Sequence, residues 1–296
     1  MGNISHTVSQ SQRRDERIAK GTGFSYKSLH KLEQVAETSK ALPDSFGDLL
    51  DKIDNGMKID KAWKLVQNHK KRADLKAQSV KLALPEPDKA RLILGDFREK
   101  GKELSDSSVD LIFSDPPYDE KSLHLYDSLA SDGYRVLKAG GSLVTYAGHY
   151  AIPQIIQYMH RRNLQYYWIF AVIHNGPFSS FFAKNILVKW KPLLWFVKDK
   201  GEKPQQNGKI FDLINSTKPA KILHDWEQSP EDARYVIGQL TKPGDTVLDP
   251  FMGSGTTGIA ALNLKRHFFG IEINPESFEL AKLNIAKHLN QRMGLA

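Results

Sequence analysis

The 296-residue sequence predicts an α/β chain: a mostly parallel sheet with helices on both faces, preceded by a small all-α region. Three observations carry that expectation. From residue 91 onward, short apolar runs alternate with helical stretches, the pattern of a parallel sheet with crossover helices. Residues 13–80 show helical spacing with few strand signals. Between the two lies LALPEPDKA (82–90), whose two prolines mark a linker.

Composition narrows the classes. A hydrophobic content of 40% with 26% charged residues fits a soluble globular protein. No run of about 18 apolar residues occurs, so a membrane span is not expected. The polar start MGNISHTVSQSQRRDER lacks the apolar stretch of a secretory signal, and a cytoplasmic location is expected. The chain has no cysteine, which removes disulfides, thiolate metal sites and a cysteine nucleophile; no metal is expected. The net charge of +8 suggests an anionic partner such as nucleic acid. That excess is uneven: residues 1–81 carry 16 Lys+Arg against 10 Asp+Glu, residues 82–296 carry 26 against 24.

Residues 1–12, rich in Ser, Gln and Asn, read as a disordered tail. Residues 13–81 form the helical region. RIAKGTGFSYKSLHKLEQV has the spacing of a helix-turn-helix, with Ile18, Ala19, Thr22, Phe24, Leu29 and Leu32 where two crossed helices touch and Gly23 at the turn. Ser25 is the expected N-cap of the second helix, which would present Tyr26, Lys27, His30 and Lys31 to a DNA groove. An ordinary helical hairpin is the alternative. Two further helices are expected at about 43–54 and 58–77. The region resembles the helical DNA-binding part of the plasmid-partition (ParB/KorB-like) family.

In residues 91–296 the expected strands are RLILG, VDLIF, GSLVTYA, TVLDP and FFGIEI, with helices at 122–137, 151–162, 256–264 and 276–290. Two corners stand out. FSDPPYDE (113–120) follows VDLIF with an acid, two prolines and an aromatic in a row. TVLDPFMGSGTTGIAAL (246–262) is a strand, a glycine-rich turn and a helix start, where backbone can approach a ligand and free N–H groups are offered. Its GxGxxG spacing alone is weak, and no Gly-Lys-Ser/Thr follows, so it is not a phosphate-binding P-loop. Asp249 at the strand end would repel a dinucleotide's pyrophosphate and suits a ligand with an ammonium group, such as S-adenosylmethionine. Glu272, closing the next strand, is placed to accept both ribose hydroxyls, or to cap the helix after Asn274 and Pro275.

Together, DPPY and DPFMGSGTT resemble the amino-methyltransferases that act on DNA bases, and their order resembles the permuted beta group, in which DPPY comes first. The resemblance covers about residues 90–290. It implies a Rossmann-like S-adenosylmethionine-dependent methyltransferase sheet, double-stranded DNA as partner, and cofactor contacts at Asp96, Phe97, Asp249, Pro250, Phe251, Gly253, Ser254, Gly255, Thr256, Thr257, Glu272 and Asn274. Ser229, before the helix at PEDARYVIG, aligns loosely with another cofactor contact. Asp96 reads equally as a solvated turn acid. A homodimer and a restriction partner are left open.

The chemistry needs such a corner. An exocyclic amino nitrogen is a poor nucleophile because its lone pair is delocalised. The Asp115 carboxylate and the Pro116 carbonyl can hold its two N–H bonds out of the ring plane, Pro117 stiffens the turn, and Tyr118 can stack on a flipped base. Cytosine C5 methylation uses a cysteine adduct, which this chain cannot form. That leaves an amino nitrogen, adenine N6 or cytosine N4; the resemblance, in which DPPY goes more often with adenine and SPPY with cytosine, implies adenine N6, with cytosine N4 the alternative. Between the corners, residues 164–222 are expected as a target-recognition insertion, with aromatic strands in the core and a DNA-facing loop bearing Lys184 and Lys189. His149, His174 and Asn175 lie near it. A catalytically silent DNA-binding regulator and an RNA or protein amino-methyltransferase are the readings from other classes; an NAD dehydrogenase leaves Asp249 and DPPY without a role.

Overall fold

The computed structural model describes residues 25–79, 89–174, 179–181, 184–199, 201–216 and 230–292. The chain divides into two units, 1–74 and 75–296. The first contains α1 (Tyr26–Ala41), α2 (Pro43–Phe46), α3 (Leu49–Asp54) and the start of α4 (Ile59–Ser79). Ser25 caps α1, its hydroxyl accepting from the Ser28 amide at 3.1 Å. Val35, Leu49, Ala62 and Val66 form a small buried core ringed by Phe46, Ile53 and Trp63. The helix expected over 43–54 is broken in two. At Gly47 a side chain would meet the Pro43 carbonyl oxygen at 2.5 Å, and the chain turns there before α3 begins. The expected first helix of the helix-turn-helix, the Gly23 turn and most of the linker lie outside the described residues.

The second unit is built on an eight-stranded sheet. Its strands are β1 (Ala90–Leu94), β2 (Val109–Ser114), β3 (Leu137–Tyr146), β4 (Leu164–His174), β7 (Trp190–Lys198), β8 (Leu213–Ser216), β9 (Thr246–Asp249) and β10 (His267–Glu272). The order is β1-β10-β9-β2-β3-β7-β4-β8, and only β7 runs antiparallel to its neighbours. Two short strands, β5 (Ser179–Phe181) and β6 (Ile186–Val188), pair separately as an antiparallel ribbon where a loop was expected.

Each strand sends alternate residues to opposite faces. Leu111, Phe113 and Val144 enter one core with α8 (Pro230–Leu240), α9 (Thr256–Asn263) and α10 (Pro275–Arg292), through Val236, Ile237, Ala260 and Ile285. Ile112 and Leu143 enter the other with α5 (Phe97–Lys100), α6 (His124–Val136) and α7 (Ile152–Arg161), through Tyr126, Leu129, Ile155 and Met159. Among the described residues no helix is long and apolar enough to cross a membrane.

Residues 164–222 supply β4, β7 and β8 of the sheet, including the aromatic strands expected there. Of the aromatics in β4 and the second half of β7, Phe170, Trp195 and Phe196 are buried as expected, while Tyr166, Tyr167 and Trp168 are 44%, 41% and 51% exposed. β8 pairs with β4 only from Ala171 to His174; before that, the Tyr167 hydroxyl accepts from Gln206 and the Trp168 indole N–H donates to Asp212.

Gly270 shows how tightly the sheet and the glycine turn are packed. A Cβ there would lie 2.3 Å from Met252 Sδ and 2.7 Å from Phe268 Cε1. Gly270→Ala is expected to destabilise the protein by about 1–3 kcal/mol through overpacking, read as a lower urea midpoint with unchanged slope.

Candidate active site

Ligands of open α/β sheets sit at the carboxyl ends of strands, where the strand order reverses. Here the reversal lies between β2 and β9. From β2 the chain proceeds outward to β3; from β9 it proceeds the other way to β10, with β1 beyond. Leu111 and Ile112 pair with Val247 and Leu248 in parallel, so the chain leaves the sheet at Asp115 and at Asp249 from adjoining strand ends. The two corners are close enough that the Asp115 charge raises the Asp249 pKa.

At the first corner Asp115 and Tyr118 are half-buried, Pro116 is buried and Pro117 is exposed. The Tyr118 hydroxyl donates to Asp115 Oδ1. Burial, then the Asp115 charge, push the Tyr118 phenol far above its ordinary range, so it stays protonated and remains the donor. The Tyr150 hydroxyl donates to the Tyr118 carbonyl, tying this corner to the 3-10 turn His149–Ala151 that follows β3. His149, read from sequence as a loop residue near the cleft, starts that turn and packs edge-on against Trp190 at 4.7 Å between ring centroids.

Behind the corner lies a polar group that no local motif announced. Tyr146, fully buried at the end of β3, donates its hydroxyl to Asp232 Oδ2 at 2.9 Å. Asp232, on the first turn of α8, is buried and its carboxyl is pushed up to about 6 by that burial, against the stabilising bonds from Tyr146 and Ser216. Lys191, at the start of β7, holds its ammonium 5.8 Å from the Tyr118 ring centre and 5.9 Å from that of Tyr146.

At the second corner Asp249 is buried; it accepts from the Phe251 amide at 3.0 Å and from the Thr257 hydroxyl. Burial pushes its carboxyl up to about 7, with the Asp115 and Glu272 charges adding to the effect. Gly253 and Gly255 have φ of +54° and +86°, left-handed backbone that favours glycine. At Gly255 a side chain would also strike the Ala281 backbone at 3.2 Å. Ser254 follows between them, Thr256 starts α9, and the Ser254 carbonyl accepts from Asn284. Glu272 binds the turn from the next strand end: Oε2 accepts from the Gly253 amide at 2.8 Å and Oε1 from the Asn274 amide at 2.7 Å.

The remaining sequence-derived residues fall into place unevenly. Asp96 caps α5 and pairs with Arg98, which lowers its pKa; this is the turn-acid arrangement, at the end of β1. Phe97 is buried against Phe251, ring centres 4.8 Å apart, and Pro250 stands beside it around a small apolar cavity. Asn274 caps α10 through the Glu276 and Ser277 amides. Ser229 and Asn175 lie outside the described residues, and nothing is described of the His174 side chain. Lys184 and Lys189 are exposed on either side of β6. On α1, Lys27 and His30 are exposed and Tyr26 is half-buried. Lys31 departs from the expected groove-facing set: its ammonium pairs with Asp60 at 2.5 Å and lies over Trp63. Among the described residues no group of His, Asp or Glu is placed to hold a metal ion.

Known proteins are similar to this chain in sequence and fold. The DNA methylase family model matches residues 109–283, a span that contains both corners. The chain belongs to the DNA methylase family. It is 29% identical over 244 residues to the type II methyltransferase M.HinfI of Haemophilus influenzae, covering 64% of this chain and 67% of that one. It is 26% identical over 254 residues to the DNA adenine methyltransferase YhdJ of Escherichia coli strain K12, covering 67% and 83%. The crystal structure of an M1.HpyAVI–S-adenosylmethionine complex superposes with a TM-score of 0.57 at 29% identity, over 66% of this chain and 98% of that one. The PvuII cytosine-N4 methyltransferase shares the fold, with a TM-score of 0.57 at 18% identity.

The methylase therefore uses S-adenosylmethionine as methyl donor and DNA as acceptor. The residues present fit that donor. Asp115, Asp249 and Glu272 converge electrostatically, and a ligand carrying both an ammonium and a sulfonium offsets their repulsion; the free N–H groups at the start of α9 face the same edge.

Asp249 links the site to stability. Its pKa in the folded protein, about 7, lies above the ordinary 3.8, so between those values the folded state binds more protons than the unfolded one. Stability of the cofactor-free protein is then greatest at the acidic end of this window and falls as pH rises through it. Asp249→Asn is expected to melt above wild type at about pH 8 and to flatten the decline; an unaltered melting profile would show that the buried charge costs nothing.

Proposed function

We propose that this methylase transfers a methyl group to the exocyclic N6 of an adenine flipped out of double-stranded DNA. The observation that carries the reading is the Asp115–Tyr118 corner beside Asp249 at the strand reversal. When bound, S-adenosylmethionine supplies an electrophilic methyl on a sulfonium. Asp249 would hold the ammonium of its methionine part, Glu272 its ribose hydroxyls, and the 253–257 turn would line it with backbone; Asp96, Phe97, Pro250, Phe251 and Asn274 stand at the neighbouring strand ends.

Asp115 and the Pro116 carbonyl accept the two amino hydrogens of the base and hold the lone pair toward the donor. The Tyr118 hydroxyl fixes the carboxylate, and its ring supplies a stacking face. Stacking of about 1–3 kcal/mol offsets much of the cost of flipping. As positive charge develops on nitrogen, the Asp115 carboxylate stabilises it; the departing proton goes to that carboxylate directly or through water.

Adenine is favoured over cytosine N4 because Asp-Pro-Pro-Tyr, in the group this chain resembles, goes with adenine, and YhdJ is named an adenine methyltransferase. The order of the two corners agrees with the beta group. The N-terminal helical unit is read as a second DNA contact through Tyr26, Lys27 and His30, with Lys184 and Lys189 contributing from the ribbon region.

The test is transfer of labelled methyl groups to duplex DNA, followed by nucleoside analysis. N6-methyladenine is expected; N4-methylcytosine as the product would replace the base assignment. Asp115→Ala should lower kcat by at least about 100-fold while S-adenosylmethionine still binds. Wild-type activity in that variant would remove the assigned mechanism.

A further inference from the structure

Lys191 has no assigned role, yet it occupies a decisive position. The strand order puts β9, β10 and β1, with their cofactor-side corners, on one flank of Asp115, and β3 and β7 on the other. β7 runs antiparallel, so its first residues, not its last, reach the reactive edge. There Lys191 is half-buried, with its ammonium between the rings of Tyr118 and Tyr146. Asp232 senses its charge from below, itself fixed by the Tyr146 hydroxyl. A long flexible cation is thus held beside the face on which the base would stack.

The geometry points to Lys191 as a base-contacting residue that donates a hydrogen bond to a ring nitrogen of the flipped base. This rests on the reading of Tyr118 as the stacking face. A base stacks on an aromatic ring at roughly 3.5 Å. The Lys191 ammonium lies over the Tyr118 ring, 5.8 Å from its centre, so a base stacking on that face moves it aside, and its flexible four-carbon stem carries it to the edge of the base. Adenine offers N1, N3 and N7 as acceptors around its edge, and an ammonium has only donors to give. Asp115 and Pro116 would take the amino hydrogens while Lys191 takes an acceptor, so a base with the opposite pattern is rejected on two counts. Donation to the ring withdraws electrons from the amino group. The contact therefore serves capture and orientation of the base, and its loss falls on KM more than on kcat.

The test compares wild type, Lys191→Met and Lys191→Arg on one duplex, carrying adenine, 1-deazaadenine, 3-deazaadenine or 7-deazaadenine at the methylated position. A charged hydrogen bond of this kind corresponds to about a tenfold loss in kcat/KM for Lys191→Met on adenine. Lys191→Arg should recover most of it. On one of the three deaza duplexes, which lacks the acceptor, Lys191→Met and wild type should differ by less than about twofold. Equal losses on all four duplexes would overturn the proposal, and a shallower salt dependence with them would make Lys191 a phosphate contact. No loss on adenine would overturn it too. The base assignment is judged separately, by the methylated nucleoside that wild type produces. Were that N4-methylcytosine, the comparison runs with 3-deazacytosine and the same two patterns decide.

Discussion

The whole site depends on a short stretch of parallel pairing, Leu111 and Ile112 against Val247 and Leu248. Strand pairing there brings together two loops more than a hundred residues apart in sequence. One carries the acceptor-side carboxylate and the other the glycine turn. All four of these residues are buried, two in the core on one face of the sheet and two in the core on the other. A slip of one residue would exchange the faces and point Asp115 away from Asp249. The register is therefore enforced from both sides by packing, and the chemistry at the edge inherits its precision from the hydrophobic layers beneath.

What the packing assembles is electrostatically unfavourable by itself. Asp249 is buried, Asp115 and Glu272 add to its difficulty, and the Asp96–Arg98 pair is engaged locally at the end of β1. Backbone amides offset part of this: Phe251 donates to Asp249, and Gly253 and Asn274 donate to Glu272. The remainder favours a ligand of net positive charge, as the ammonium, sulfonium and carboxylate of S-adenosylmethionine together supply. A site tuned to a cationic donor is expected to be less stable without it, and binding restores the balance by linkage. The same logic accounts for the glycines. The backbone must come close to the ligand, and at Gly255 it must also come close to α10.

Much of this was legible in the sequence because it is local. The five apolar runs became strands β1, β2, β3, β9 and β10, and the motif residues lie at or just beyond strand ends. The serine at position 25 capped its helix as its residue type dictates. What was illegible depends on distant partners. Tyr146 and Asp232 are 86 residues apart and meet only because α8 lies across the end of β3. Tyr150 reaches the Tyr118 carbonyl only through the adjacency of β2 and β3. Lys191 was not among the loop cations singled out from sequence; only the antiparallel direction of β7 puts the first residues of that strand at the reactive edge. Aromatic content misled for Tyr166, Tyr167 and Trp168, because composition reports what could be buried and not what covers each face of a strand. Lys31 shows a limit of the same kind: helix periodicity gives its face but not the pairing with Asp60 on α4.

In the proposed mechanism a pocket built on Asp115, Pro116 and Tyr118 tests one extruded base, and testing it requires flipping to be attempted. If that were the only discrimination, every candidate base would have to be opened, at a few kcal/mol each. Under the proposed reading, selection of the site comes before flipping, from elements that touch intact duplex. The two proposed for it are the β5–β6 ribbon region with Lys184 and Lys189, and the basic N-terminal unit. Tethering two modest DNA contacts raises the local concentration of each for the other, so neither needs high affinity alone. If α1 is the proposed DNA contact, the Lys31–Asp60 pair leaves Tyr26, Lys27 and His30 as its candidate reading surface. The charge excess of the first 81 residues would then act chiefly through phosphate attraction, which positions a protein on the duplex but carries no sequence information by itself.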